Sequence, residues 1–207
     1  MTDAKNNFDQ FEGGARAMWQ NVARGHGFPS RETGDLKLDI DGLLIQNGGM
    51  LMPREEIIDD RAIYHRFIDT EKATRGGPNA WAGGWWVTDT TMSTLLGLAS
   101  EQPLAQVAQN YLAVPGEWSD CAFRVTARLE LKLKAWIGKG KPAHALHSPD
   151  IDGGLGSNGP KGWVPNTRPR GNLYAPPPHL APVQLLIPGR PGDLSRWFTK
   201  LYVQSAR

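Results

Sequence analysis

The segment Val125 to Ile137 constrains this chain more than any other. Val125, Ala127, Leu129, Leu131, Leu133, Ala135 and Ile137 alternate with Thr126, Arg128, Glu130, Lys132 and Lys134. A period of two sends one set to each face of a strand. One face is then buried and the other wet, which is the habit of antiparallel sheets; parallel strands read as continuous apolar runs. The segment is longer than a common strand, so a bent strand or two strands are expected.

The rest of the chain fits around such a sheet. Phe8, Phe11, Ala15, Met18, Trp19 and Val22 form one stripe, which predicts an amphipathic helix from Asn7 to Arg24. Leu36, Leu38 and Ile40 alternate with charges, and Asn47-Gly48-Gly49 suits a hairpin between Leu43-Leu44-Ile45 and Met50-Leu51-Met52. Pro53-Arg54-Glu55-Glu56 reads as a helical turn. Strands are expected over Ala62 to Asp69, at Trp85-Trp86-Val87-Thr88 and over Val183 to Ile187. Helices are expected from Met92 to Ser100 and from Pro103 to about Leu112, with a short capped piece carrying Trp197 and Phe198 near the C-terminus. Arg75 to Gly84 and Pro142 to Pro182 read as loops. Strands do not alternate regularly with helices, so a doubly wound fold is excluded. The expected class is α+β, a mainly antiparallel twisted sheet with an N-terminal helix and one or two further helices. Residues 1–60 are read as a helix-and-hairpin appendage and 61–207 as the α+β core, the two forming one compact unit.

Composition narrows the function classes. One cysteine, Cys121, allows no internal disulfide. A formal net charge of +2 is too small to imply a nucleic-acid partner by field alone. No apolar run is long enough to span a bilayer, and the N-terminus lacks a secretory signal pattern. The expected location is therefore the cytoplasm, or a target cell reached through a dedicated secretion machine. Phosphate-loop, dinucleotide GxGxxG, HExxH, CxxC and GxSxG motifs are all absent. His144 and His147 lie three apart and Asp150 and Asp152 two apart, but in a solvated loop without further donors, so no metal site is assigned. Cys121, before an apolar strand, reads as a packing residue.

Three segments carry chemistry. Ile63-Tyr64-His65-Arg66-Phe67 puts a guanidinium, whose fork pairs bidentately with phosphate, on an early strand. A plain strand-face charge is the alternative. Gly83-Gly84-Trp85-Trp86-Val87-Thr88, followed by Asp89-Thr90-Thr91-Met92-Ser93-Thr94, joins aromatic rings to a hydroxyl cluster before a helix. Core packing and a helix cap would use the same residues. Ala181-Pro182-Val183-Gln184-Leu185-Leu186-Ile187-Pro188-Gly189 is a late strand with an amide near its start.

In this order the segments resemble the ADP-ribosyltransferase-like family, which splits NAD at the nicotinamide–ribose bond. The resemblance covers roughly Ile63 to Gly189, and Leu131 to Gly138 is similar to the strand before the family's penultimate loop. It implies that Arg66, with Tyr64 and His65, holds the dinucleotide, that Trp86 stacks on nicotinamide, and that Thr88 or Ser93 supports the ribose. The family's late strand carries a glutamate that stabilises the oxocarbenium ion, and here Gln184 stands in its place. An amide can bond the ribose hydroxyls but brings no negative charge. That departure is closer to the necrotizing-toxin type of NAD glycohydrolase than to a protein-modifying transferase. Glu130 is a second candidate carboxylate, although a solvated ladder face explains it as well. The resemblance implies NAD as substrate rather than cofactor, and an immunity protein or target macromolecule as partner. Two rival readings stand beside it: a metal-independent ribonuclease-like toxin using His65, Arg66, Glu130 and His179, and a non-enzymatic binding or structural protein.

Overall fold

In the computed structural model, residues 5–26, 46–116, 118–144, 173–176 and 180–206 are described. The expected strand at Leu36 to Ile40, Leu43-Leu44-Ile45, His147, Asp150, Asp152 and His179 lie outside them.

The class is α+β. Seven strands form one sheet: β1 (Met50–Ile58), β2 (Ile63–Ile68), β3 (Trp85–Thr88), β4 (Phe123–Leu129), β5 (Leu133–Gly140), β8 (Val183–Leu186) and β9 (Phe198–Ser205). Their order is β1-β5-β8-β3-β2-β4-β9, and every neighbouring pair is antiparallel. A separate ribbon pairs β6 (Ala143–His144) with β7 (Leu173–Tyr174). The helices are α1 (Gly13–Ala23), α2 (Thr70–Arg75), α3 (Pro78–Trp81), α4 (Asp89–Leu98), α5 (Leu104–Tyr111) and α6 (Pro191–Trp197). Among the described residues none is long and apolar enough to cross a membrane.

The long alternating segment is two strands. It breaks at Glu130, whose amide donates to Trp197 O (2.9 Å) rather than to a sheet neighbour. The two pieces then part company. β4 pairs with β2 and β9, and β5 pairs with β1 and β8. The sheet therefore has two halves, joined only through β2 and β3. That junction is short: Tyr64 pairs with Thr88 and His65 with Val87, while β2 pairs with β4 along all of Ile63–Ile68. Beyond His65 the halves separate.

Both faces of the sheet are covered. On one, Trp86, Val125, Ala127, Leu185 and Ile187 pack with Trp197 and Phe198. On the other, α4 and α5 bury Met92, Leu95, Val107 and Ala108 against Val87. Full burial of a leucine or valine there contributes about 1.5–3 kcal/mol. Farther along, Phe11, Val22 and Ala23 join Met50, Trp136 and Leu186 in a third cluster. Residues from the expected appendage thus share a core with the late strands, and β1 is an edge strand of the main sheet.

Several elements depart from the sequence reading. Pro53-Arg54-Glu55-Glu56 is not helical but lies inside β1. An edge strand tolerates proline, and the register with β5 shifts between Leu51 and Arg54, as at a bulge. The N-terminal helix is broken at Glu12, whose extended backbone separates a 3-10 turn (Phe8–Phe11) from α1. Arg75 to Gly84, expected as loop, includes the short α3. The C-terminal piece continues from α6 into β9.

Candidate functional site

Where β2 and β3 part, a cavity of about 220 Å³ opens. Its strand walls are His65, Arg66 and Phe67 of β2, Trp85, Trp86 and Val87 of β3, and Gln184 of β8. The facing wall comes from the segment after α5, with Leu112, Ala113 and Val114, and from Trp118, Ser119 and Cys121 before β4. Lys72 of α2 and Gly49 complete the lining.

Arg66 dominates its electrostatics. The side chain as a whole is partly exposed, but Nε and Nη1 are shut off from water and have no hydrogen-bond partner. Its guanidinium lies 5.6 Å from the Trp86 ring centroid. Burial pulls its pKa down to about 10, opposed by the negative charge of Asp69, so it stays cationic at neutral pH. Gly83 makes room for it, since a Cβ there would fall 1.9 Å from Nη1. The other cation, Lys72, is already held by Asp69 through Nζ (2.7 Å). Among the described lining residues there is no carboxylate.

His65 is buried and tied at both ring nitrogens. Nε2 lies 3.0 Å from Asp89 Oδ1 and Nδ1 lies 2.9 Å from Thr126 Oγ1. A carboxylate accepts only, so Nε2 carries the proton and Nδ1 accepts from the threonine hydroxyl. Desolvation lowers the His65 pKa, against the opposing bond to Asp89. The imidazole is therefore neutral at neutral pH. Gln184 is buried too, and its Nε2 donates to Leu112 O (3.0 Å) across the cavity floor. Cys121 is buried and burial pushes its thiol up to about 12, so it is inert as a nucleophile.

Of the residues singled out from sequence, the cavity brings together His65, Arg66, Trp86 and Gln184. Strand parity still sets two of them apart. His65 and Gln184 both register with Val87 and share its face, while Arg66, one residue on, belongs to the other. They border one hollow only because the sheet splits there.

The remaining candidates have other work. Tyr64 sits in the core against Phe198, edge to face at 6.2 Å, and burial with the Asp59 charge raises its pKa to about 12. Thr88 caps α4 by accepting from Thr91 N (3.2 Å). Ser93 is exposed and bonds Asp89 O on its own helix. Glu130 stands at the β4–β5 turn with Arg128 (3.2 Å) and does not line the cavity, so it is not joined to His65 as acid–base cleavage of RNA would need. The Trp86 ring is stacked on Phe198 (4.3 Å, 14°) and is a core residue whose edge reaches the site.

Trp118 and Lys72 were not picked out from sequence, and of the Trp85–Trp86 pair only Trp86 was given a role. The adjacent tryptophans look alike in composition, and only the pairing with Leu186 and Leu185 decides which face each takes. Lys72 had a usable signal: it lies one turn past a strand end, with Asp69 placed to cap α2.

No group of three or more histidine, cysteine or acidic side chains capable of holding a metal occurs among the described residues. No family model and no curated protein matches this chain. Among solved structures it is similar to Tne2, from a structure of Tne2 in complex with Tni2. The TM-score is 0.41 and the identity 12%, over 78% of this chain and 95% of that one. At that distance the functional reading rests on the site itself.

Proposed function

We propose that this chain is a toxin-type enzyme that consumes NAD, with the nicotinamide–ribose end of the dinucleotide seated in the cavity between β2 and β3. The observation that carries the reading is the Arg66 guanidinium, buried, cationic and unpartnered at two nitrogens beside a cavity with no acid in its described lining. Leaving such a donor unsatisfied costs about 1–3 kcal/mol or more for a charged group. A bound phosphate recovers that cost, because guanidinium and phosphate pair in two parallel bonds. Trp85 and Trp118 supply flat apolar walls for a planar ring. Drug-sized pockets run from roughly 300 to 1,000 Å³. A cavity of about 220 Å³ suits one ring and its ribose, with the rest of the dinucleotide across the rim.

In the reaction the C–N bond between nicotinamide and ribose breaks, and its electron pair leaves with nicotinamide. Water adds to the anomeric carbon and loses a proton, giving ADP-ribose. Gln184 has its amide nitrogen engaged by Leu112, so its carbonyl oxygen is the end left for a ribose hydroxyl. With no carboxylate among the described lining residues, the protein contributes orientation and desolvation more than an opposing charge. A toxin of this type implies an immunity protein that covers the cavity mouth. The test is to incubate the purified chain with NAD and follow free nicotinamide. Release, together with a rise in melting temperature with a non-cleavable NAD analogue, is expected. Neither release nor a shift would overturn the reading.

A further inference from the structure

A second hollow, of about 470 Å³, lies between the N-terminal turn, α1 and α6. It is larger than the first and separate from it. We propose that it is a second ligand site, for a small anion bearing a planar ring, of the nucleoside monophosphate class.

The walls are fixed by buried bonds. Asn7, 1% exposed, donates to Lys134 O (2.8 Å) and Pro188 O (3.1 Å) and accepts from Lys134 N (2.8 Å). These bonds tie the N-terminal segment to β5 and to the loop before α6. Gly189 lets Trp197 close the floor: a Cβ there would stand 2.5 Å from the indole Cζ3. The Trp197 Nε1 donates to Lys5 O (2.9 Å), which pins the same segment from the other side. The hollow thus has a rigid frame before any ligand arrives.

What the frame leaves over defines the ligand. Each carboxylate and side-chain amide on the lining already accepts at least one bond inside the protein. Asp9 accepts from Lys5 (3.2 Å) and Gln10 (3.3 Å). Asp193 accepts from Arg190 N (3.3 Å), closing the first turn of α6. Gln10 Oε1 accepts from Trp19 Nε1 (3.0 Å), and Asn6 Oδ1 accepts from Phe8 N (3.2 Å). Among the cations, Lys5 is held by Asp9, but the guanidinium groups of Arg190 and Arg196 take no ion pair among the described residues. Lys5, Arg190 and Arg196 against Asp9 and Asp193 leave one net positive charge on the lining. Met18 and the half-buried Trp19 add an apolar wall beside those cations. Two guanidinium groups without an ion pair, excess positive charge and an indole wall select an anion with a ring. The volume falls inside the common range for small-molecule sites, about 300–1,000 Å³.

The test uses the full chain carrying Arg66→Met, so that the first cavity contributes no phosphate contact. AMP, adenosine and inorganic phosphate are titrated separately by calorimetry. The proposal expects saturable AMP binding, at least tenfold weaker binding of adenosine and of phosphate, and a further tenfold loss in Arg196→Gln. Arg190→Gln serves as a second variant, and the melting temperature of each checks folding. AMP binding that is absent, that phosphate alone matches, or that neither arginine variant weakens would overturn it.

Discussion

The two hollows differ in the state of their cations. In the smaller, Arg66 is enclosed and two of its nitrogens lack partners; in the larger, Arg190 and Arg196 stand in water. A solvated guanidinium loses little by waiting for a ligand, and it gains less than an enclosed one when the ligand arrives. An enclosed one is destabilising until an anion reaches it, so the same contact is worth more. Volume alone would rank the sites the other way. The difference teaches that the split in the sheet, not the size of the opening, creates the enclosed cationic hollow: β2 leaves β3 after His65, and the next residue is the arginine.

The contrast breaks first at Arg66. Arg66→Met should lower kcat/KM for NAD by about a hundredfold or more, the scale of losing one transition-state contact. It should leave the melting temperature unchanged or higher, because a buried unpaired charge is removed. A fall in stability as large as the fall in rate would make Arg66 a structural residue. Next, Gln184→Ala should cost about 1–3 kcal/mol in a denaturant melt, since Leu112 O loses its donor inside the fold. The proposed function thus expects a stability cost at Gln184 and a cost in rate alone at Arg66.

His65 sharpens the contrast through pH. Its folded pKa lies below the unfolded value of 6.5 because burial disfavours the charged ring. The unfolded chain therefore binds more protons, and stability present above pH 6.5 is lost as pH falls below it. Melting temperatures at pH 7.5 and 5.5 should differ more for the native chain than for His65→Asn. The smallest effect is expected at Glu130, exposed and held by Thr199 and Arg128 at the surface. Glu130→Gln should change stability by less than about 0.5 kcal/mol and leave NAD turnover alone.

Much of the fold was legible in the sequence because alternation is a local signal. The faces of β4 and β5 follow from Val125 to Ile137 directly. That the two pieces lie in different halves of the sheet is not local, since it depends on which strands later arrive beside them. Pro53 misled for the same reason: a helix start and an edge strand both accept proline, and only the pairing with β5 distinguishes them. In the site, His65, Arg66 and Gln184 were visible as residue types suited to a ligand. Which of them share a face depends on register, which no single segment encodes. Trp85 and Trp86 show the limit, as neighbours of equal composition of which one is core and the other wall.

The most direct measurement is the Arg66 Nε–H resonance in a guanidinium-detected NMR titration with a non-cleavable NAD analogue. A large shift that saturates with the binding curve is expected, as the unpartnered donor meets phosphate. Saturation of the protein by the analogue with that resonance unmoved would contradict the account.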